Sequence, residues 1–183
     1  MQYNKSNKTR EMILISLFAA LTAISGYVFI PLPLSPVPVT AQTLVVMLTG
    51  NILRPNSSLA CMIIYLLLGL IGLPVFAGGG SGIGVLLGPS GGYLLSWPLA
   101  ALLISYLSSK IKPSFLTIFL INLLGMIIIY GIGVFQLSFI TKISLPSAVM
   151  AGAIVFIPAD LIKAALASTL GMTINKVITN HFS

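Results

Sequence analysis

Apolar residues run along this chain in blocks longer than any amphipathic surface helix would show. Residues 12–53, 55–109, 113–141 and 143–159 contain no Asp, Glu, Lys or Arg. A bilayer-spanning helix needs about 20 apolar residues. The first two blocks therefore each hold two spans joined by an uncharged turn, and the third holds one. A last apolar segment runs from about Ser147 to Asn175. The pattern predicts six helices, over roughly 11–30, 41–54, 58–76, 92–109, 114–136 and 147–175. The second is short for a span, which suits a broken or tilted helix. Three bases precede the first apolar run, but that run is too long for a signal h-region and more spans follow, so it reads as helix 1.

The connections between spans differ in kind. After helix 1 comes Pro31-Leu-Pro33-Leu-Ser-Pro36-Val-Pro38. Proline fixes φ and removes N–H donors, so this piece is extended and stiff. Residues 77–92 read AGGGSGIGVLLGPSGG. Glycine permits turns that other residues cannot make, and so apolar a loop suits folding back into the membrane plane, where irregular backbone is tolerated beside a cavity or buried in protein. The third connection, about 137–146, has little character. The whole reads as one all-α integral-membrane domain over 1–183, with the proline-rich and glycine-rich loops on its outer side.

Composition sharpens this. The chain has 183 residues, 57% apolar and 6% charged, against about 25% charged in soluble domains; its mean hydropathy is +1.11. Those values exclude a soluble enzyme, a disordered chain and a DNA-binding module. The net charge of +7 comes from bases spaced between apolar runs rather than gathered on one nucleic-acid-binding face. Lys5, Lys8, Arg10, Arg54, Lys110, Lys112 and Lys176 fall on one side of a six-helix arrangement, Lys142 on the other, and Lys163 inside the last segment. By the positive-inside rule both termini are cytoplasmic.

Much chemistry is absent. There is no G-x-x-x-x-G-K-[ST] and no G-x-G-x-x-G, so neither a P-loop nor a Rossmann turn is present. Asp160 is the only acid after Glu11, Cys61 the only cysteine and His181 the only histidine. Paired carboxylates and metal clusters are thereby excluded, and no enzyme activity is expected.

Asp160 and Lys163 break the apolar pattern in VFIPADLIKAAL. Spaced i and i+3, they share a helix face, and each costs about 2.5–3.5 kcal/mol at a helix centre. With the inner boundary near Lys176, Asp160 lies roughly 24 Å up the helix axis, in the outer part of the membrane. The pair either lowers the cost of its own burial or serves a ligand, and the intramembrane cost favours a site. Pro158 just before it predicts a kink. Asn122, in FLINLLGM, can bind a ligand or glue helices together. Gln42 and Thr43 open helix 2 as helix-start or cavity-lining residues, with Thr40 as the N-cap. Tyr93 and Trp97 fit an interfacial aromatic belt. Ala19 and Ala23 make a smooth patch on helix 1 that lets another helix approach.

Three segments, PLPLSPVPVTAQTLVVMLTG, YLLLGLIGLPVFAGGGSGIGVLLGPSGGYLLSWP and FIPADLIKA, together resemble the BioY proteins, the biotin-binding membrane subunits (S components) of energy-coupling factor (ECF) transporters. The resemblance implies a six-helix subunit of the bacterial cell membrane with its pocket toward the outside. It implies a transmembrane coupling subunit and two ABC-type ATPases as partners, the coupling subunit packing on Ala19 and Ala23, and no cofactor. Biotin suits the inventory. Asp160 accepts from a ureido N–H, Asn122 donates to and accepts from the same ring, and Lys163 meets the ureido oxygen or the valerate carboxylate. Tyr93, Trp97 and the glycine loop supply apolar walls. Ser90 with the N–H groups of Gly91 and Gly92 holds the carboxylate in a nest, and Gln42 with the proline loop forms a lid. An S component for another vitamin and a solitary proton-coupled biotin carrier are the alternatives.

Overall fold

The computed structural model describes residues 8–182; Lys5, counted above among the flanking bases, lies outside them. The elements are α1 (Lys8–Ser25), β1 (Phe29–Leu32), β2 (Ser35–Thr40), α2 (Gln42–Ile52), α3 (Pro55–Leu70), α4 (Ile83–Leu86), α5 (Gly91–Lys110), α6 (Phe115–Thr141), α7 (Leu145–Gly152) and α8 (Ile157–Phe182). Gly91–Lys110, Phe115–Thr141 and Leu145–Val177 are long and apolar enough to cross a bilayer, while Gln42–Ile52 and Pro55–Leu70 are shorter apolar helices. This is the architecture of an all-α membrane protein with one small β element.

The distribution of side-chain size explains the packing. α5 sits centrally, against α2, α3 and α6. Ala100 and Ala101 of α5, and Ala164 and Ala167 of α8, are fully buried, whereas Phe135 and Phe139 of α6 are 70% and 77% exposed. A Cβ on Gly50 would stand 2.6 Å from Cβ of Ile104, and one on Gly125 2.5 Å from its Cδ1. Small residues thus let helix backbones close on one another while large apolar groups face outward, which is how helices associate when the solvent is lipid.

Side-chain bonds gather five helix ends at one pole. Ser57 Oγ at the start of α3 donates to Glu11 in α1. Ser105 Oγ in α5 donates to Leu53 O after α2 at 2.5 Å. Asn175 Nδ2 near the end of α8 donates to Asn51 O in α2 at 2.9 Å. Lys8, Arg10, Arg54, Lys110 and Lys176 lie at or near these ends.

Four local features differ from the sequence expectation. Helix 1 stops at Ser25, because the chain then turns into an antiparallel hairpin pairing Phe29 with Thr40 and Ile30 with Val39. The proline segment is extended, as proline demands, but paired; the register breaks between Ile30 and Leu32, where Pro31 has no N–H to donate. α6 runs on to Thr141, so the third connection is mostly helix. The last segment is two helices, not one: the chain breaks at Ala153 (φ −134°, ψ −60°) and α8 starts afresh at Ile157. Pro158 accordingly sits in a first turn, where its missing N–H costs nothing, rather than kinking a continuous helix.

The glycine loop folds against protein. Gly78, Gly79 and Gly82 take positive φ, which glycine adopts without strain. Gly82 N–H bonds Gly69 O at 2.7 Å, and Gly78 N–H bonds Gly26 O at 2.9 Å. These bonds tie the loop to the end of α3 and to the turn after α1, and they seat Phe76, fully buried, edge-on to Tyr65.

A Cβ on Gly69 would come within 2.0–2.6 Å of the Phe76 ring. Gly69→Ala should destabilise the protein by about 1–3 kcal/mol through overpacking, lowering the thermal midpoint in detergent. Gly131→Ala, where nothing lies within 4 Å, should leave it unchanged; equal midpoints for both variants would contradict this packing.

Candidate functional site

Starting α8 anew at Ile157 puts Asp160 in its first turn. The carboxylate therefore lies near the positive end of the helix dipole, and Lys163 follows on the same face. Lys163 Nζ sits 2.9 Å from Asp160 Oδ1. Thr43 Oγ1 donates to the same oxygen at 3.2 Å, and Tyr130 OH of α6 donates to Oδ2 at 2.6 Å. Lys163 also donates to Thr40 O at 2.6 Å and to Thr43 Oγ1 at 3.1 Å. Asp160 is buried and Lys163 half-buried. A charge pair out of water persists only when hydrogen bonds replace most of the lost hydration, and the end of β2, the start of α2 and the middle of α6 supply them here.

Beside the pair lies a cavity of about 240 Å³, at the small end for ligand sites. Its walls come from β2 (Val37 to Thr40), the start of α2 (Gln42, Thr43), the glycine loop (Ala77, Val85, Ser90), α5 (Tyr93, Leu94, Trp97), α6 (Ile129, Tyr130), Phe156, Asp160 and Lys163. Tyr93 OH donates to Gly152 O at 2.7 Å and its ring meets Phe156 edge-on. A Cβ on Gly133 would stand 2.4 Å from that ring, and one on Gly152 2.2 Å from its hydroxyl, so two glycines make the room Tyr93 occupies. Trp97 stacks on Tyr65 with centroids 5.5 Å apart. Both Tyr93 and Trp97 are buried; they are cavity walls and not an interfacial belt.

The cavity thus brings together Asp160, Lys163, Gln42, Tyr93, Trp97 and Ser90, but not every residue singled out from sequence. Gln42 is on the lining, yet its Nε2 is engaged by Thr22 O, Tyr65 OH and Val75 O at 3.2, 2.6 and 3.2 Å, tying α1, α2 and α3 together. Asn122 is not on the lining: it lies eight residues, about 12 Å, along α6 from Tyr130, fully buried, with Nδ2 donating to Ser168 Oγ of α8 at 3.1 Å. It glues helices.

Gly91 and Gly92 are also off the lining. A Cβ on either would strike Leu86 O at 1.8 Å or Ile132 O at 2.7 Å, and Gly91 N–H already bonds Gly88 O. They serve close packing of α5 on its neighbours. Ala19 is buried in the core and Ala23 packs against it; the outward face of α1 carries Ile13, Ser16, Leu17, Ala20 and Ile24 instead. The patch faced the wrong way because an 18-residue helix with apolar residues all round gives no sequence signal for its buried side.

Tyr130, Phe156 and Ile129 were not anticipated. Tyr130 alone left a trace, a phenol in the apolar run MIIIYGIG, but nothing in the run reveals that its hydroxyl meets an acid 30 residues later.

The class defined by this fold and site is a helical membrane protein with a small cavity beside an acid–base pair. The BioY family model matches residues 1–180. The chain is 40% identical over 177 residues to the probable biotin transporter BioY of Bacillus subtilis, with 94% of each chain covered. It is 36% identical over 176 residues to the biotin transporter BioY2 of Lactococcus lactis, with 96% of each covered. Its fold is similar to the crystal structure of the S-component for biotin from an ECF-type ABC transporter, at a TM-score of 0.89 with 32% identity and 95% of each chain covered. The chain belongs to the BioY family.

Removing one member of a buried pair strands the other. Lys163→Met should cost roughly 3 kcal/mol, and the double variant Asp160→Asn/Lys163→Met should recover part of that loss. Thermal unfolding in detergent checks this; a double variant less stable than the single would contradict it.

Proposed function

We propose that this chain is the biotin-binding S component of an ECF-type importer, a single integral-membrane domain over 1–183. It crosses the bacterial plasma membrane six times through α1, α2, α3, α5, α6 and α8. The basic pole faces the cytoplasm, in keeping with the positive-inside rule, so both termini are cytoplasmic and the cavity opens outward. The chain captures biotin from outside and delivers it inward with a coupling subunit and two ATPases that hydrolyse ATP.

The observation that carries this reading is the neutral acid–base pair beside an aromatic-walled cavity. A ureido ring has two N–H donors and one carbonyl, and carries no charge. Asp160 Oδ2 accepts one bond from Tyr130 and keeps a lone pair for a ureido N–H. The ureido oxygen accepts a hydrogen bond from Lys163, which releases Thr40 O or Thr43 Oγ1. The bicycle's apolar edges lie on Tyr93 and Trp97. Tyr130 joins the site as the residue that holds Asp160 in place, and Asn122, Gly91 and Gly92 leave it.

Titration calorimetry of the purified chain should show tight binding of biotin and none of thiamin or riboflavin; the reverse preference would contradict the reading. Each hydrogen bond to a charged group contributes about 1.5–3 kcal/mol, so Asp160→Asn should weaken biotin binding at least about tenfold, and unchanged affinity would reduce the pair to structure.

The coupling subunit packs on the outward face of α1 in this reading, where Ser16 and Ala20 are the small residues and a helix can approach closely. Ala20→Trp should leave biotin affinity unchanged and abolish co-purification with the coupling subunit. Normal co-purification would move the docking surface elsewhere.

A further inference from the structure

A second cavity lies at the other end of α2 from the acid–base pair. Asn51, on its lining, is eight residues along α2 from Thr43, about 12 Å. The volume is about 570 Å³, against about 240 Å³ beside Asp160. Asn51, Ser57, Ser105 and Ser108 form a buried polar floor, whereas Asn56 and Ser109, also on the lining, are exposed. The cavity is therefore open on that side.

Two polar groups in the lining are unfinished. Asn51 and Ser108 are only 6% and 8% exposed, and Asn51 Oδ1 and Ser108 Oγ are buried without a hydrogen-bond partner. Asn51 Nδ2 donates to Ala167 O at 3.3 Å. Turning the amide over would set oxygen against oxygen, so Oδ1 is held as an acceptor that lacks a donor. Buried atoms of this kind are costly, and two on one cavity point to a guest that completes them.

Charge selects the guest. Among the described residues that line the cavity, Glu11 is the only acid and Arg54 the only base, and Lys8, Arg10, Lys110 and Lys176 belong to the same pole. A simple cation is repelled by those bases, and a simple anion meets Glu11 and the Asn51 oxygen. A zwitterion with an ammonium beside a phosphate satisfies both. The ammonium donates to Glu11 and Asn51 Oδ1; the phosphate lies against the Arg54 guanidinium, which suits phosphate oxygens, and accepts from Ser108 Oγ. A primary ammonium has three N–H donors for this, and a trimethylated one has none. Ile15 and Ala60 on the same lining offer an apolar flank to an acyl chain.

We propose that this cavity binds a phosphoethanolamine group, the headgroup chemistry of phosphatidylethanolamine, at a site separate from the cavity beside Asp160. The group occurs in the lipid and in soluble glycerophosphoethanolamine, and the test separates the two sources.

The test is native mass spectrometry of the delipidated full-length chain, titrated in detergent with phosphatidylethanolamine, phosphatidylcholine and phosphatidylglycerol of identical acyl chains. Phosphatidylethanolamine should bind at least about tenfold tighter than either, the effect of one hydrogen bond to a charged group. A smaller preference, or a preference for another headgroup, leaves the two unpartnered atoms to water and overturns the proposal. Glu11→Gln keeps an acceptor for Ser57 Oγ and removes the charge, so it should abolish the preference for phosphatidylethanolamine over phosphatidylcholine; a preference that survives intact overturns the proposal too. Should that variant not fold, the headgroup series on the unaltered chain still decides. Displacement of the lipid by glycerophosphoethanolamine supports recognition of the headgroup from either source, and a lack of displacement, with the lipid preference present, supports the lipid as the source.

Discussion

An ion pair at the first turn of α8 sets the terms for the rest of this molecule. Asp160 and Lys163 stand in surroundings where each charge alone would be costly, and they persist because the fold delivers an acceptor for each Lys163 proton and at least one donor for each Asp160 oxygen. Tyr130 comes from α6, Thr43 from the start of α2, and the Thr40 carbonyl from the end of the hairpin. That requirement fixes where those elements meet. The break at Ala153 is part of the same solution: a new helix start brings a carboxylate and a positive dipole end to the cavity, which an unbroken helix through Pro158 would not.

The cavity beside the pair survives because close packing is concentrated elsewhere. Glycines at 50 and 125 admit Ile104, and those at 133 and 152 admit Tyr93. Gln42 is spent on a knot joining three helices rather than on an open pocket. The remaining free capacity is small: one lone pair on Asp160 Oδ2 and the indole N–H of Trp97, which is buried without a partner. In the proposed reading a compact, uncharged ring places one N–H on that acceptor.

How much of this was legible in the sequence depended on the range of the physics involved. Helices α2, α3, α5 and α6 were readable because span length and charge-free runs are local. The extended proline segment was readable too, but its pairing into a hairpin was not, since pairing is a relation between strands. Asp160 and Lys163 declared themselves because a charge in an apolar run is conspicuous wherever it points. Asn122 was conspicuous for the same reason and lies elsewhere, bonded to Ser168. Polarity in a run marks a demand for a partner; it does not say which partner. The face of α1 and the role of Gly91 and Gly92 were lost for a related reason, since an apolar helix and a glycine pair look alike whether they face a ligand, a partner or their own neighbours. Tyr130 stayed hidden because its importance arises only from the approach of α8.

The central claim is that the guest's neutral head is held by the pair at the start of α8. The most direct test is a crystal structure of this chain with biotin bound. The account predicts a ureido nitrogen about 3 Å from Asp160 Oδ2, the ureido oxygen facing Lys163 and the ring against Tyr93 and Trp97. Density for biotin away from α8, with the bonds among Asp160, Lys163, Tyr130 and Thr43 unaltered, would contradict it.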